Sequence, residues 1–149
     1  KKVCMNGSAE VLTIGAQLLD ATDIPLSVIP WSEETEVECL ERFDVGIMPL
    51  PDTAWERGKC GLKLIQYMAC SLPVIASPVG INNEIIEHGV NGYLANNTAD
   101  WIKYLEILKD NPELCRVMGA NGRQKVESNY SLQRTVPKLA KLLKKMSEA

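Results

Sequence analysis

DVGIMPLPDTAWERGKCGLKLIQYMACSLPVIASPVG, residues 44–80, is the stretch that decides the predicted fold. It begins with a short apolar strand that is stopped by prolines, and a polar loop follows. Residues 61–70 then have the spacing of an amphipathic helix, whose inward face is expected to carry Leu62, Ile65 and Ala69. The last segment, PVIASPV, is again a short apolar strand. Two such strands joined through a helix are typical of a parallel sheet.

The same alternation extends to both sides of this stretch. Three more segments have the apolar composition and the flanking Gly or Pro of strands: VLTIG (residues 11–15), PLSVIPW (25–31) and NGYLA (91–95). A short helix is predicted for INNEIIEHG (81–89). Strands and helices in this order predict an α/β domain with a doubly wound, Rossmann-like parallel sheet that helices cover on both faces.

Polar residues mark where the predicted helices begin. Ser32 is the expected N-cap of the helix after PLSVIPW, whose first turn carries three glutamates that suit the helix dipole. Either Asn82 or Asn83 is expected to cap the short helix. From Thr98, another expected N-cap, the chain is predicted to form a helical tail of three helices, the last beginning at Ser131.

Composition excludes several classes of protein. A chain of 149 residues with 46% hydrophobic content fits one globular domain, and its net charge of −3 offers no electrostatic basis for binding nucleic acid. The apolar runs are too short to cross a membrane, and no signal peptide is evident. The five cysteines form no CxxC pair, which favours reduced thiols in the cytoplasm and no metal site.

The fold predicts where a ligand lies, because ligands of doubly wound sheets bind at the carboxyl ends of the strands. The loop PDTAWERGKC leaves one such end, and Gly58 and Gly61 allow its backbone to approach a ligand closely. Arg57, Lys59 and Lys63 add positive charge to the free N–H groups at the start of the helix. This pattern favours a bound phosphate, an interpretation that fails if the cations are salt-bridged to the protein's own carboxylates and no concavity lies above them. A solvated surface loop is the alternative, since neither GxGxxG nor a P-loop is present.

A family resemblance makes the prediction more specific. GLKLIQYMACSLPVIASPVGINNEIIEHGVNG (residues 61–92) resembles the pattern G-L-x-x-x-E-A-M-A-C-G-x-P-V-V-A-(S/T)-x-x-G-G-x-x-E-(I/V)-(I/V)-x-x-G-x-N-G. That pattern belongs to the C-terminal, donor-binding half of retaining glycosyltransferases of the GT-B fold, in the group-1 or sucrose-synthase-like family. The similarity extends from about Leu26 through the helical tail.

The resemblance implies a site for a nucleotide sugar. The family's E-x7-E pair falls on Gly58 and Gln66, so both acidic side chains are absent here. An amide at Gln66 can still bind a ribose diol, because it offers both donors and an acceptor. Glu56 is the nearest candidate for a catalytic carboxylate, and Asp52 is a weaker one.

The remaining roles also follow from the resemblance. Lys59 and Lys63, with Arg57, are assigned to phosphate, while the backbone from Gly58 through Gly61 to Leu62 is assigned to phosphate or sugar. Two further residues lie at positions of the family's site. Trp31 lies where the family binds the base, and Glu84, on the acidic position of the family's G-G-x-x-E segment, is assigned either a ligand or a structural role.

The expected function is therefore transfer of a sugar, with retention, from a nucleoside-diphosphate sugar to a saccharide or lipid-linked acceptor in glycan biosynthesis. Neither a metal nor a cofactor is expected. Residues 1–149 are expected to be one nucleotide-sugar-binding domain that lacks its first strand and the N-terminal acceptor domain, and to be inactive alone. The longer protein is expected in the cytoplasm, either free or bound peripherally to the membrane.

Two alternative functions remain: a non-catalytic module that binds a nucleotide or phosphosugar, and a nucleotide-sugar epimerase of the same architecture.

Overall fold

The computed structural model describes residues 3–4, 9–16 and 24–147, and these ranges contain five strands and seven α-helices. The strands are β1 (Val11–Ile14), β2 (Leu26–Ile29), β3 (Gly46–Met48), β4 (Val74–Ala76) and β5 (Gly92–Leu94). The helices are α1 (Glu36–Leu40), α2 (Ala54–Arg57), α3 (Leu62–Ala69), α4 (Asn82–Ile85), α5 (Thr98–Lys109), α6 (Pro112–Asn129) and α7 (Leu132–Ser147). Each predicted strand is present, although the hydrogen-bonded part is shorter than the apolar segment.

All strand pairs are parallel, which confirms the predicted α/β class. β1 pairs with β2, with Val11 opposite Leu26, and a second sheet has the order β3-β4-β5. In that second sheet, Val74 of β4 lies between Gly46 of β3 and Gly92 of β5. The single sheet expected from the sequence is thus divided, within the described residues, into two sheets.

The central strand β4 carries the core, because its side chains are buried on both faces of the sheet. One face packs in an apolar cluster with α3, α4 and α6: Leu64, Met68, Val74, Ala76, Ile85, Ile86 and Val126. The other face packs with α5 and α6: Ile75, Ala95, Leu108 and Met118. Helices on both faces are the expected arrangement of a doubly wound sheet.

The buried face of α3 differs from the predicted one. Leu64 and Met68 are fully buried, whereas Leu62 is 55% exposed and Ile65 and Ala69 are only partly buried. Leu64 and Met68 are one turn apart and face β4 and α6. The periodicity of the sequence alone did not distinguish this face of the helix from the adjacent face with Leu62, Ile65 and Ala69.

Three predicted N-caps are also wrong. α1 starts after Thr35, because Ser32 instead accepts the Thr35 N–H in a turn that precedes the helix. α5 is capped by Asn97, whose side chain accepts the Asp100 N–H at 3.0 Å, and Thr98 is its first residue. The cap position of α4 is Ile81, so neither Asn82 nor Asn83 fills it.

The tail consists of three helices as predicted, with Ser131 directly before α7. α7 exposes a row of large apolar side chains: Leu132, Val136, Leu139, Leu142, Leu143 and Met146. The last two residues of the predicted helix lie outside the described part of the chain. No helix that the structure describes is long and apolar enough to cross a membrane.

Candidate functional site

The loops after β3 and β4 meet at the carboxyl edge of the sheet, where a ligand is expected. The Leu50 N–H donates to Ser77 Oγ at 2.9 Å, which joins the two loops directly. Gly80 has a φ of 53°, and a Cβ there would lie 2.6 Å from the carbonyl oxygen of Arg57. Only glycine therefore permits this close contact between the loops.

Two asparagines hold the turn between β4 and α4. The buried Asn82 amide donates to the Ser77 carbonyl at 3.0 Å, and the Asn83 amide donates to the Gly80 carbonyl at 3.2 Å. These bonds stabilise the turn that faces the predicted site. The two residues thus act on the preceding loop instead of capping α4.

The amino end of α3 is formed by Gly61, which is buried and has a left-handed φ of 69°. A Cβ on Gly61 would clash with the Ile85 side chain, so glycine is required for its contact with α4 as well. The first helical hydrogen bond runs from the Leu64 N–H to the Gly61 carbonyl at 3.0 Å. The N–H groups of Leu62 and Lys63 precede it and therefore point out of the end of the helix.

The polar loop before α3 contains a short helix that the sequence analysis missed. The side chain of Thr53 caps α2 by accepting the Glu56 N–H at 3.3 Å. Gly58 follows α2 with a φ of −82°, a conformation open to any residue, and a Cβ there would lie 3.4 Å from the nearest atom. Its position therefore does not itself require glycine.

Each cation predicted to bind phosphate is paired with a carboxylate of the protein. Arg57 contacts Asp52 through two hydrogen bonds of 2.6 and 3.0 Å. Lys59 Nζ lies 2.6 Å from Glu56, the predicted catalytic candidate. Lys63 Nζ lies 2.8 Å from a third carboxylate, on α1. All three cations are therefore salt-bridged to carboxylates of the protein, which is one of the two features that would count against phosphate binding.

The carboxylate that receives Lys63 belongs to Glu36, a residue that the sequence analysis treated only as a dipole partner of α1. Its second oxygen accepts the Gln66 side-chain amide at 3.0 Å. The Lys63 hydrogen bond is the main reason why the pKa of Glu36 lies below its usual value, with smaller contributions from hydrogen bonding by Trp31 and Gln66. Only 15% of the Glu36 side chain is exposed.

Gln66 has one polar atom left over in this arrangement. Its amide nitrogen binds Glu36, while its oxygen is buried and has no hydrogen-bond partner within the described residues. A buried acceptor without a donor costs free energy, on the order of 1–3 kcal/mol. Glu36 therefore joins α1 to α3 through Lys63 and Gln66, and the remaining oxygen of Gln66 is buried beneath this contact.

Sequence reasoning missed Glu36 because it lies 27 positions before Lys63 and on another helix. The only local signal was the excess of glutamates in the first turn of α1. Trp31 lies near this group, with 56% of its surface exposed. Glu84 is exposed on α4; its carbonyl oxygen accepts Lys125 Nζ at 2.8 Å, and its carboxylate forms no bond to the described loops.

Two cavities, of about 670 and about 470 Å³, lie elsewhere in the molecule, and neither is lined by the predicted site residues. Within the described ranges, no group of three or more His, Cys, Asp or Glu side chains is placed to hold a metal ion.

The chain is similar in sequence to known glycosyltransferases. Residues 9–111 match the family model described as glycosyl transferases of group 1. N-acetyl-alpha-D-glucosaminyl L-malate synthase of Bacillus anthracis is 36% identical over 84 residues, which are 54% of this chain and 22% of that protein. The chain spans about a quarter of the length of the curated relatives that it matches.

Solved structures show the same fold. Sucrose-phosphate synthase from Thermosynechococcus elongatus superposes with a TM-score of 0.78 at 18% identity, over 93% of this chain and 39% of that one. HepE of Anabaena, solved in complex with UDP, superposes with a TM-score of 0.66 at 16% identity, over 81% of this chain and 32% of that one. These similarities confirm the expected C-terminal half of a GT-B fold.

Proposed function

This chain belongs to the group 1 glycosyl transferases, and on that premise we propose that it holds the nucleoside-diphosphate sugar in a sugar transfer. The observation that carries the proposal is that Glu36 of α1 contacts both Lys63, in the first turn of α3, and Gln66, in the next turn. These residues come from two helices and together offer a cation, a carboxylate and an amide. Such a set matches the diphosphate and the ribose of one nucleotide.

In this proposal the diphosphate lies at the amino end of α3. The N–H groups of Leu62 and Lys63 point there, and Lys59 and Lys63 supply full positive charge. When the bond to the sugar breaks, negative charge grows on the leaving diphosphate. Fixed donors and cations at that position stabilise this charge without a metal.

The ion pairs of these lysines are compatible with phosphate binding. Lys59 is 42% exposed and Lys63 is 51% exposed, so each pair contributes only about 0–1 kcal/mol. A diphosphate carries more charge than one carboxylate and accepts several hydrogen bonds at once. We therefore expect the lysines to exchange their carboxylates for phosphate oxygens when the nucleotide binds.

Glu36 supplies the carboxylate that α3 lacks. The resemblance assigns ribose binding to an acidic residue at position 66, where this chain has glutamine. Glu36 reaches that position from α1 and has an oxygen 3.0 Å from Gln66 Nε2. The Gln66 side chain then turns its buried oxygen outward on binding, so that the ribose hydroxyl groups bind this oxygen and the Glu36 carboxylate, while Trp31 lies against the base.

The direct test is a titration of the isotope-labelled chain with UDP, GDP, ADP and TDP, followed by NMR. We expect one of these nucleotides to shift the resonances of Glu36, Lys63 and Gln66 together. Shifts confined to other surfaces would refute the proposed site. Inorganic phosphate is the matched control, because it reports the phosphate contacts without the ribose.

We propose that this chain is one domain of a longer protein. The acceptor and the stereochemistry of the transfer are properties of that longer protein. We propose that the longer protein transfers the sugar with retention to a saccharide or lipid-linked acceptor, acts in the cytoplasm, and needs a second domain for turnover. The isolated chain then binds nucleotide without transferring sugar. Release of nucleoside diphosphate by the isolated chain in the presence of donor and acceptor would contradict this assignment.

A second candidate is a nucleotide-binding module without catalysis. The absence of acidic side chains at both Gly58 and Gln66 favours it, as does the ion pair that engages Glu56. Assaying the longer protein with a panel of nucleotide sugars separates the two candidates. Turnover identifies the transferase, and tight binding without turnover identifies the module; an epimerase would convert the donor sugar without any acceptor.

A further inference from the structure

The amino end of α3 has neighbours on two sides. On one side, Lys63 Nζ lies 2.8 Å from the Glu36 carboxylate of α1. On the other side, a Cβ on Gly61 would clash with the Ile85 side chain of α4. Lys63 and Gly61 are two positions apart, which corresponds to about 200° around a helix axis. α1 and α4 therefore border the end of α3 on nearly opposite sides.

α2 lies on the same side as α4, because its last residue contacts the turn that leads into α4. A Cβ on Gly80, in that turn, would lie 2.6 Å from the carbonyl oxygen of Arg57. Thr53 fixes the other end of α2, where its side chain accepts the Glu56 N–H at 3.3 Å and its carbonyl accepts the Arg57 N–H at 3.0 Å. The backbone of α2 is thus held against this border of the site.

α2 carries the most exposed large apolar side chain that the structure describes. Trp55 is 80% exposed, on a helix whose two ends are fixed. An indole ring gains free energy when an apolar surface covers it. Because the backbone beneath the ring is already ordered, covering the ring costs little further conformational entropy. Trp55 therefore offers a preorganised apolar platform at this border.

Two hydrogen-bonding side chains flank this platform in the sequence. Asp52 and Arg57 are joined by hydrogen bonds of 2.6 and 3.0 Å. Their side chains are 60% and 62% exposed, so the carboxylate can accept further hydrogen bonds and the guanidinium can donate them. A hexopyranose ring matches this combination, because its faces carry C–H groups and its rim carries hydroxyl groups.

We propose that Trp55 stacks on the hexopyranose ring of a nucleoside-diphosphate sugar, and that Asp52 and Arg57 bind the hydroxyl groups of that ring. This inference rests on the proposed function, which places the ribose beside Glu36 and the diphosphate at the amino end of α3. A diphosphate links the ribose to the sugar, so the sugar extends to the side opposite α1. Trp55 is then a residue that determines which sugar the site accepts.

Calorimetric titration tests the stacking, with UDP, UDP-glucose and UDP-N-acetylglucosamine as probes. Trp55→Ala should weaken binding of at least one sugar nucleotide by about two- to tenfold and leave binding of UDP unchanged. Trp55→Phe keeps an aromatic ring and should retain most of the affinity. Trp55→Leu is apolar but has no ring, so it should lose about as much as Trp55→Ala. If GDP, ADP or TDP binds better than UDP, the probes are that nucleotide and its own sugar conjugates.

Trp31→Ala is the matched control, since Trp31 is also exposed but lies on the α1 side, where it hydrogen-bonds Glu36. It should weaken UDP and the sugar nucleotides by the same factor, because Trp31 lies against the base. Fluorescence of Trp31→Phe gives a second readout, since Trp55 is then the exposed tryptophan. Its emission should shift to shorter wavelengths with the sugar nucleotide but not with UDP.

The outcomes separate this inference from the proposed function. If Trp55→Ala weakens UDP and the sugar nucleotides equally, or weakens none of them, the inference is wrong while the nucleotide site stands. Full affinity in Trp55→Leu would show an apolar contact without stacking and would also overturn it. An emission shift that follows protein concentration instead of ligand would assign Trp55 to a contact between copies of the chain and overturn it as well. If the wild-type chain binds none of the nucleotides, the proposed function fails and this inference fails with it.

Discussion

Glu36→Gln is the substitution that most directly tests the proposed ribose contact. It keeps the size of the side chain and a hydrogen-bond acceptor, but it removes the charge that binds Lys63 and Gln66. Two effects on nucleotide affinity then oppose each other. The ribose loses a charged acceptor, and Lys63 is released for the phosphate. Comparing UDP with 2′,3′-dideoxy-UDP separates these effects, because only UDP carries both hydroxyl groups.

The expected magnitudes follow from the contacts. A hydrogen bond to a charged group contributes about 1.5–3 kcal/mol, so the wild-type chain should prefer UDP over its dideoxy analogue by about ten- to a hundredfold. With glutamine at this position the bond is neutral, and the preference should fall to about two- to tenfold. Release of Lys63, which is 51% exposed, adds at most about 1 kcal/mol, or about fivefold, for both nucleotides. This last contribution cancels in the ratio.

Isothermal titration calorimetry, or NMR titration where binding is weak, gives the four dissociation constants. Glu38→Gln is the matched control, since Glu38 is an exposed glutamate of the same helix. It should leave the preference for the hydroxyl groups unchanged. If another nucleotide binds better than UDP, the comparison uses that nucleotide and its own 2′,3′-dideoxy analogue.

An unchanged preference in Glu36→Gln would refute the ribose contact. A uniform gain for both nucleotides would show that Glu36 only competes with phosphate for Lys63. Failure of the wild-type chain to distinguish the two nucleotides would remove the role of Gln66 as well.

Three further predictions concern the stability of the fold, its dependence on pH, and the acidic side chain that is absent at position 58. Gly119→Ala should destabilise the chain by about 3 kcal/mol or more in urea unfolding, because its Cβ would overlap the Ser71 carbonyl. Gly122→Ala, whose new Cβ would lie 3.0 Å from Met68 Cγ and needs only a small shift, should cost less than half as much. The pKa of Glu36 lies below 4.5, chiefly because of Lys63, so the unfolded chain binds this proton more tightly. The stability that the pair contributes is therefore present above about pH 4.5 and is lost as the pH falls through the lower folded pKa, and Glu36→Gln should reduce that acid dependence of unfolding. Gly58→Glu restores an acidic side chain in an unstrained conformation, so it should change stability by less than about 1 kcal/mol while strengthening binding of a UDP-sugar relative to UDP in the same calorimetric assay.

The elements of this fold were predictable because their signals are local. The segments around β3, α3 and β4 combine apolar runs, prolines and helical spacing within about forty residues, and the structure has them in that order. The errors were in details that depend on neighbours. The choice of Leu64 over Leu62 as the buried residue of α3 depends on the packing of α6 and β4 against it, which no single segment encodes.

The candidate site was likewise predictable only where it depends on residues that are close in sequence. The location of the loop before α3 at the carboxyl edge of the sheet follows from the order of the elements. The left-handed conformation of Gly61 and its packing against Ile85 did not follow from the sequence. The partners of the cations did not follow, because Glu36 and Lys63 are far apart in sequence. Charge counting therefore identified the lysines but not the carboxylates that hold them.

The amino-acid sequence alone thus determined the parallel α/β class, the order of its strands and helices, and its place among the glycosyl transferases, because periodicity and motif spacing are properties of neighbouring residues. Only the tertiary structure decided that Glu36 bridges Lys63 and Gln66 and that α2 packs against the turn between β4 and α4. Both depend on how separate elements pack, and the free energy of that packing is not contained in any one segment.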